Sequence, residues 1–211
     1  MIRGLWRSIA FNYRDGGITK VINRSIAKSI SVISSETSWL IYKINPADYG
    51  RKSRLSLVQK ELTFESLVQH KYYKALSFPE RVRSRIAAGH RCFGFFDGDK
   101  LANVGWISTG LLVLELWTLD VTEDECSGIY DCYTFPAYRS KGIYTDALIR
   151  LVNLLHAEQI PTVLISVDPG NVMSIRGIER AGFIPHYKLT RRRRFGRDSF
   201  EKQPFTAVCP Q

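Results

Sequence analysis

The chain has 211 residues, 45% of them hydrophobic and 24% charged, which favours one folded domain and argues against a disordered chain. No apolar run reaches the roughly 20 residues that a bilayer-spanning helix needs. The four cysteines form no CxxC pair, so neither a metal site nor a disulfide framework is expected, and the cytoplasm is the predicted location.

The net charge of +10 is concentrated in two segments. Residues 1–30 hold six basic residues and one acidic residue, and residues 187–202 hold seven basic and two acidic residues. Because the rest of the chain is neutral, both segments are predicted to form surfaces for anionic partners. The N-terminal segment also carries an apolar stripe, which favours either packing on the domain or peripheral contact with the anionic inner membrane.

Residues 1–62 are predicted to form a basic, helix-containing extension that packs on or extends a core of residues 63–211, with one strand at SWLIYKIN. Within the core, Asp97-Gly98 lies between two apolar stretches and predicts a hairpin. Antiparallel strands followed by a strand–helix–strand–helix half predict an α/β fold with a mixed sheet. The predicted core elements are, in chain order, helices over 64–76 and 79–89, strands over 91–96, 101–108, 111–121 and 128–135, a helix to about 159, a strand over 162–167, a helix over 171–181 and a strand over 186–195.

One turn between a strand and a helix has the residues of a phosphate-binding loop. The segment RSKGIY, residues 139–144, lies between an apolar strand and the helix that follows. The first N–H groups of a helix have no intrahelical partners and carry the positive end of its dipole, which suits an anion. Gly142 lets the backbone approach a ligand closely. Arg139 and Lys141 add charge, and Thr145 adds a hydroxyl; the alternative is a plain strand-to-helix connection.

The downstream residues place this loop in a family context. After the strand TVLISV come Asn171, Ser174 and the pair Gly182-Phe183. In order with FFDGDKLANVGWI and RSKGIY, they resemble the GNAT (GCN5-related N-acetyltransferase) superfamily over roughly residues 90–195. The resemblance implies a GNAT-like acyl-CoA N-acyltransferase fold, with the helical N-terminal part as an extension, and a member associated with bacterial surface polysaccharides.

The resemblance also implies a cofactor, acetyl-CoA (coenzyme A), held where two neighbouring parallel strands splay apart. The pantetheine arm would pair with the strand edge at residues 133–135, a backbone N–H near Thr134 would stabilise the oxyanion, and the pyrophosphate would lie on the amides of residues 139–145. The implied cofactor-binding residues are Tyr133, Thr134, Phe135, Arg139, Ser140, Lys141, Gly142, Ile143, Tyr144, Thr145, Asn171 and Ser174.

Two positions depart from the family pattern. Tyr144 stands where the family prefers Gly or Ala at the end of the loop. Ile178 stands where many members carry a tyrosine that protonates the departing thiolate, so that role is not transferred. Asn171 also has a simpler explanation, because an Asn commonly caps the start of a helix.

An acceptor amine must lose a proton, so a base or a water relay is needed. Asp131, on the predicted active strand, is the first candidate for a catalytic base, although a carboxylate that faces solvent or pairs with an arginine explains it equally well. Glu115 and Asp120, around the preceding strand, are the second choices. The tyrosines considered for returning a proton to the thiolate are Tyr130, Tyr133 and Tyr144.

Three functions remain open from the sequence. The leading one is an acetyl-CoA-dependent N-acetyltransferase that acts on a small amine, such as an amino sugar or nucleotide-amino sugar whose phosphates meet residues 191–194. The second is transfer of a longer acyl group from an acidic acyl carrier protein that docks on residues 187–195. The third is a non-catalytic module for anionic membranes or nucleic acid; nucleic acid is disfavoured because the core is neutral and shows no nucleic-acid fold signature.

Overall fold

The computed structural model describes residues 34–69, 73, 81–114, 117–120 and 125–205. The helix predicted near residue 18 lies outside them. The elements are, in chain order, β1 (Ser34–Ile44), β2 (Val58–Leu62), α1 (Phe64–Gln69), α2 (Val82–Ala87), β3 (Arg91–Asp97), β4 (Lys100–Thr109), β5 (Leu111–Leu114), β6 (Trp117–Asp120), β7 (Cys126–Thr134), α3 (Ile143–Ala157), β8 (Thr162–Val167), α4 (Val172–Ala181), β9 (Ile184–Arg194) and β10 (Arg197–Pro204).

The described residues form two compact units, of which the larger comprises residues 39–188 with 204–205. Its strands follow the order β1-β8-β7-β4-β3-β2. The pair β7–β8 is parallel, whereas β1–β8, β7–β4, β4–β3 and β3–β2 are antiparallel. Strands β5 and β6 form a separate antiparallel pair. The predicted α/β class with a mixed sheet is therefore confirmed.

Helix α3 buries a leucine stripe that its sequence spacing predicts. Leu148, Leu151 and Leu155 recur at helical intervals and are at most 1% exposed. They share one core cluster with Ile129 of β7 and Ile165 of β8. Burying each leucine contributes about 1.5–3 kcal/mol, so this stripe anchors α3 beside the two parallel strands.

A second core cluster joins α1 and α2 to β3, β4 and β7. Tyr130 belongs to this cluster, whereas its neighbour Ile129 belongs to the first one. Successive residues of a strand point to opposite faces of the sheet. Strand β7 therefore contributes to both cores and has side chains fixed on both faces.

The smaller unit comprises, among the described residues, 34–38 and 189–203. Its strand segments follow the order β10-β9-β1. Ser38 and Thr190 share a hydrogen bond of 3.1 Å between their hydroxyl oxygens. The strand predicted over 186–195 is confirmed as β9, which contains the arginine run. It is not the last strand, because β10 follows it.

Of three further predicted elements, one is confirmed, one is wrong and one is described only in part. The Asp97-Gly98 hairpin is confirmed, since Asp97 of β3 pairs with Lys100 of β4. The single strand predicted over 111–121 is wrong, because Leu114 pairs with Trp117 and the segment forms the two strands β5 and β6. The helix predicted over 64–76 is described only as α1, and most of its remainder lies outside the described residues.

The predicted extension contributes β1 and β2 to the sheet of the larger unit, next to β8 and β3 respectively. A domain boundary at residue 62 stays a prediction. None of the described helices is long and apolar enough to cross a membrane.

Candidate active site

The two parallel strands of the sheet separate halfway along their length. Strand β7 pairs with β8 from Cys126 to Ile129, where Ile129 faces Ile165. Beyond that point β8 continues against β1, as far as the pair Val167 and Leu40. Strand β7 instead continues against β4 as far as Thr134. The edge of β7 that faces β8 is therefore without a strand partner after Ile129.

A bulge in β7 lies at the start of this gap. Trp106 of β4 pairs with Tyr130, but Val104, two residues earlier, pairs with Tyr133, so β7 contains one extra residue. Asp131, within the bulge, has a φ of +48°, which is uncommon for a residue other than glycine. Bulges redirect side chains and are frequent next to active sites. Here the bulge turns the segment after Tyr130 away from regular pairing.

A cavity of about 230 Å³ lies in the gap between the separated strands. One wall is formed by residues 130–132 of β7 and another by residues 165–168, which include the end of β8. Tyr144 of α3 and the start of α4, at Asn171 and Ser174, complete the polar side. The predicted residues Asp131, Tyr144 and Asn171, from three different elements, thus border one cavity.

Asp131 is ion-paired in this cavity with Arg85 of α2. The Arg85 Nη1 atom donates to Oδ2 of Asp131 at 2.6 Å, and the two side chains are 8% and 18% exposed. The guanidinium carbon also lies 5.2 Å and 5.1 Å from the ring centroids of Trp106 and Tyr130. The arginine-paired explanation for Asp131 is therefore confirmed. Sequence reasoning missed Arg85, whose partner is 46 residues away and whose helix is only six residues long.

Tyr130 links the same cluster to a histidine. Its hydroxyl lies 2.5 Å from Nδ1 of His90. Burial, with a smaller contribution from the nearby Arg85 cation, lowers the pKa of His90 below its ordinary value of 6.5. Burial also raises the pKa of the Tyr130 hydroxyl above its ordinary value. Both shifts favour the neutral forms of His90 and Tyr130 near neutral pH.

The end of β7 is fixed by contacts on its β4 side. The Thr134 hydroxyl accepts a hydrogen bond of 2.7 Å from Nδ2 of the buried Asn103. The rings of Tyr133 and Phe135 meet edge to face, with 5.0 Å between centroids. Arg139 folds back so that its Nε donates to the Thr134 carbonyl at 3.1 Å. Side-chain contacts therefore fix the strand end that is predicted to pair with pantetheine, and Arg139 binds its last carbonyl group.

The predicted phosphate loop leads directly into α3. Ser140 and Gly142 have φ angles of +61° and +76°. Gly142 is the N-cap of α3, and no side chain caps the helix at this end. Its first N–H groups therefore remain available to an anion. The Lys141 ammonium lies 5.3 Å from the centroid of the Tyr138 ring, which keeps a positive charge beside the loop.

The last loop residues turn toward α4. Ile143 is 5% exposed and belongs to the interior. The Thr145 hydroxyl donates to the Gly177 carbonyl at 3.3 Å. That hydroxyl is therefore engaged between the two helices, whereas the sequence predicted it at a phosphate.

Tyr144, which stands where the family prefers a small residue, packs against Gly177 of α4. A Cβ atom on Gly177 would lie 2.5 Å from the Tyr144 ring. The absence of a side chain on α4 therefore makes room for an aromatic ring on α3. Burial raises the pKa of Tyr144 well above its ordinary value, and a hydrogen bond with Ser174 opposes this in part.

Asn171 caps α4, as the simpler explanation predicts. Its side-chain oxygen accepts a hydrogen bond of 3.2 Å from the Ser174 amide. Ile178 is fully buried among the core residues. Its side chain therefore has a packing role.

The second-choice bases, Glu115 and Asp120, remain predictions. Glu115 lies outside the described residues, as does the side chain of Asp120. Among the described residues, no cluster of three or more His, Cys, Asp or Glu could hold a metal ion. Within the described residues Cys92, Cys126 and Cys132 form no disulfide. Burial raises the pKa of the Cys132 thiol to about 12.

A second feature that the sequence did not indicate supports the loop and helix from behind. Asp146, 4% exposed on the first turn of α3, accepts hydrogen bonds from the Arg54 amide at 2.7 Å and from the Ser53 hydroxyl at 3.0 Å. The Arg150 Nε atom donates to it at 2.8 Å. These bonds tie the segment after β1 to the turn of α3 that follows the candidate phosphate loop.

Comparison with solved structures identifies the fold. A GNAT-family acetyltransferase from Colwellia psychrerythraea matches 74% of this chain with a TM-score of 0.54 and 16% identity. A GNAT-family protein from Novosphingobium aromaticivorans matches 75% with a TM-score of 0.53 and 18% identity. A GCN5-related glucosamine N-acetyltransferase region of a fungal multi-domain β-N-acetylglucosaminidase matches 79% with a TM-score of 0.56 and 11% identity, and the match covers 22% of that protein.

The chain therefore has the fold of the GNAT acetyltransferases, which confirms the fold that the motifs imply. The matched region spans 56% of the Colwellia protein and 65% of the Novosphingobium protein. No family model and no curated protein matches the sequence, so the likeness is one of structure.

Proposed function

We propose that this protein is an acetyl-CoA-dependent N-acetyltransferase. The observation that carries the proposal is the separation of β7 from β8 after Ile129, which opens a cavity directly beside the uncapped N-terminus of α3. A free strand edge can pair with an amide-containing chain, and a helix N-terminus can hold an anion. Coenzyme A contains both, a pantetheine amide chain and a pyrophosphate.

The residues around this gap suit the two ends of the cofactor. The strand edge at residues 133–135, the end of β7 and the residue after it, would hold the pantetheine arm. Backbone amides of residues 139–145 would hold the pyrophosphate, with charge from Arg139 and Lys141. When bound, acetyl-CoA supplies a reactive thioester. The contribution of this chain is then to hold the acceptor amine against it, which is the largest effect available for an already activated group.

Asp131 is the residue proposed to receive the proton of the acceptor amine, directly or through water. It lies in the cavity wall and on the bulge, and Arg85 fixes its position. Glu115 remains the second candidate. For the return of a proton to the thiolate we propose Tyr133 or Tyr144, of which Tyr144 borders the cavity.

For the acceptor we propose a small amine, with an amino sugar or nucleotide-amino sugar first. The fungal region of similar fold is a glucosamine N-acetyltransferase. The Asp168 carboxylate in the cavity wall, beside the Arg85-paired Asp131, suits an ammonium group. Participation in surface-polysaccharide synthesis and an acyl carrier protein as the donor stay predictions.

Calorimetric titration with acetyl-CoA and with free CoA tests the proposal. The chain should bind both, and the variant Lys141→Glu with Gly142→Asp should lose binding because two carboxylates would face the pyrophosphate. The variant Gly98→Asp with Lys100→Glu is a matched control: Gly98 also has a positive φ, +57°, and nothing lies within 4 Å of a Cβ at either glycine. Loss in the first variant with retention in the control supports the site.

Two results would contradict the proposal. Equal affinity of the loop variant and the control would remove the loop from the cofactor site. Absence of binding to either nucleotide by the wild-type chain would reject the cofactor itself. If binding holds, an acceptor screen that begins with amino-sugar nucleotides follows, with the release of free thiol as its readout.

A further inference from the structure

The hairpin that joins β9 and β10 has an unusual residue at its tip. The connection consists of Phe195 and Gly196, whose φ angles are +49° and +77°. Two positive φ angles in a two-residue connection are the mark of a type I′ turn, which strongly prefers Asn, Asp or Gly at both positions. A bulky residue with a positive φ is a genuine outlier. Phenylalanine is therefore a poor choice for this turn on local grounds.

No packing offsets that unfavourable choice. The Phe195 side chain is 84% exposed, the largest exposure among the described large hydrophobic residues. The phenylalanine is therefore unfavourable for the turn and adds no buried contact that would stabilise the fold. Such sites are expected to be functional.

The arginines nearest the tip have no acidic partners among the described residues. The described part of the smaller unit contains three acidic residues, and all three pair with two arginines of β9. Asp198 binds Arg191, while Glu36 and Glu201 bind Arg192. Nearer the tip, three further arginines are exposed, and within the described residues no ion pair includes them. They are Arg193, Arg194 and Arg197.

We propose that this tip, residues 193–197, docks on the surface of an anionic phospholipid bilayer. The Phe195 ring enters the interfacial region, and the three free guanidinium groups contact lipid phosphates. An apolar residue at the apex with cations immediately behind it matches the polarity change across a membrane interface. Each basic residue near an anionic surface strengthens binding by about fivefold.

The same arginines suit nucleic acid or an acidic protein less well. Binding of single-stranded nucleic acid without base readout uses several aromatic platforms along a basic groove. Here one ring projects at the apex, and the other exposed phenylalanine of the hairpin, Phe200 on β10, is 40% exposed. An acidic protein would use the charges but would leave the apical ring without a role.

Vesicle flotation at physiological ionic strength tests the proposal. We expect the wild-type chain to float with vesicles of 70% phosphatidylcholine and 30% phosphatidylglycerol, and not with pure phosphatidylcholine. The triple variant Arg193→Gln, Arg194→Gln, Arg197→Gln should weaken partitioning by about a hundredfold on the fivefold scale. Phe195→Asn should weaken it by about tenfold while preserving the turn, because Asn suits a positive φ.

The matched control removes three positive charges elsewhere, at the exposed Lys52, Lys60 and Lys100. It should float like the wild type. The proposal is wrong if the wild-type chain does not float with anionic vesicles, or if the control loses as much partitioning as the tip variants. It is equally wrong if a single-stranded oligonucleotide or an acidic acyl carrier protein displaces the chain from vesicles at stoichiometric concentration.

Discussion

The guanidinium of Arg85 and the carboxylate of Asp131, 2.6 Å apart, join helix α2 to the bulge of β7. Asp131 has an unfavourable φ, and Arg85 lies against the rings of Trp106 and Tyr130. Each group therefore supports the other: the ion pair holds the strained bulge, and the bulge supplies the anion for a cation that is 8% exposed. Because this bulge borders the cavity, the pair links the stability of the fold to the geometry of the proposed site.

Breaking this pair should therefore destabilise the protein. Arg85→Met leaves the Asp131 carboxylate unpaired in a largely buried position, and we expect the free energy of unfolding to fall by about 2–3 kcal/mol. The double variant Arg85→Met with Asp131→Asn should recover part of that loss. Urea denaturation of the two single variants and the double variant measures the coupling. Additive effects would show that the pair contributes nothing.

Gly177 should tolerate alanine only when Tyr144 is absent. An alanine in a helix interior is normally more stable than glycine by about 1 kcal/mol. Here the new Cβ would lie 2.5 Å from a buried ring, so we expect Gly177→Ala to destabilise the protein by about 1–3 kcal/mol. In the Tyr144→Ala background the same substitution should become neutral or stabilising. Denaturation of the four proteins tests this reversal, and a destabilisation that persists without Tyr144 would contradict it.

Asp146 should make the protein sensitive to acid. Burial alone would raise its pKa, but hydrogen bonds from Arg150, from the amides of Arg54 and Leu55 and from Ser53 outweigh burial and lower the pKa below the ordinary 3.8. The stabilisation is present above the unfolded-state pKa and is lost as the pH falls through the lower folded-state pKa.

The corresponding experiment compares the wild-type chain with Asp146→Asn by urea denaturation between about pH 5 and pH 2. The wild-type chain should lose stability more steeply below the ordinary pKa of 3.8. The variant should be weaker at neutral pH and flatter in acid. Parallel profiles for the two proteins would exclude Asp146 as a source of the acid sensitivity.

The sequence predicts the elements whose signals are local. The leucine stripe of α3, the Asp97-Gly98 hairpin and the strand TVLISV each depend on spacing or on a turn residue within one short segment. The prediction of one strand over 111–121 is wrong because the segment lacks such a local signal: no Gly, Pro or Asn lies between Leu111 and Leu119. Its division into β5 and β6 therefore has no local signal.

The site is only partly predictable for a related reason. RSKGIY and Asn171 stand at helix starts and carry local signals, and the structure places both beside the gap between β7 and β8. The partner of Asp131 is 46 residues away, and the segment that binds Asp146 is more than 90 residues away. Such pairs depend on which strands become neighbours, which spacing in the chain does not encode.

Phe195→Asn should stabilise the fold while it weakens the proposed membrane contact. The left-handed region costs a residue other than Gly, Asn or Asp roughly 1–2 kcal/mol, and Phe195 has a φ of +49° with its side chain 84% exposed. Asparagine relieves much of that strain and removes no buried contact, so we expect the free energy of unfolding to rise by about 0.5–1 kcal/mol. Thermal and urea denaturation measure the change, with Phe200→Asn on the neighbouring strand as the control that should not stabilise. If Phe195→Asn is more stable but binds vesicles more weakly, the phenylalanine serves binding at the expense of stability. If Phe195→Asn is less stable, the ring supports the hairpin itself.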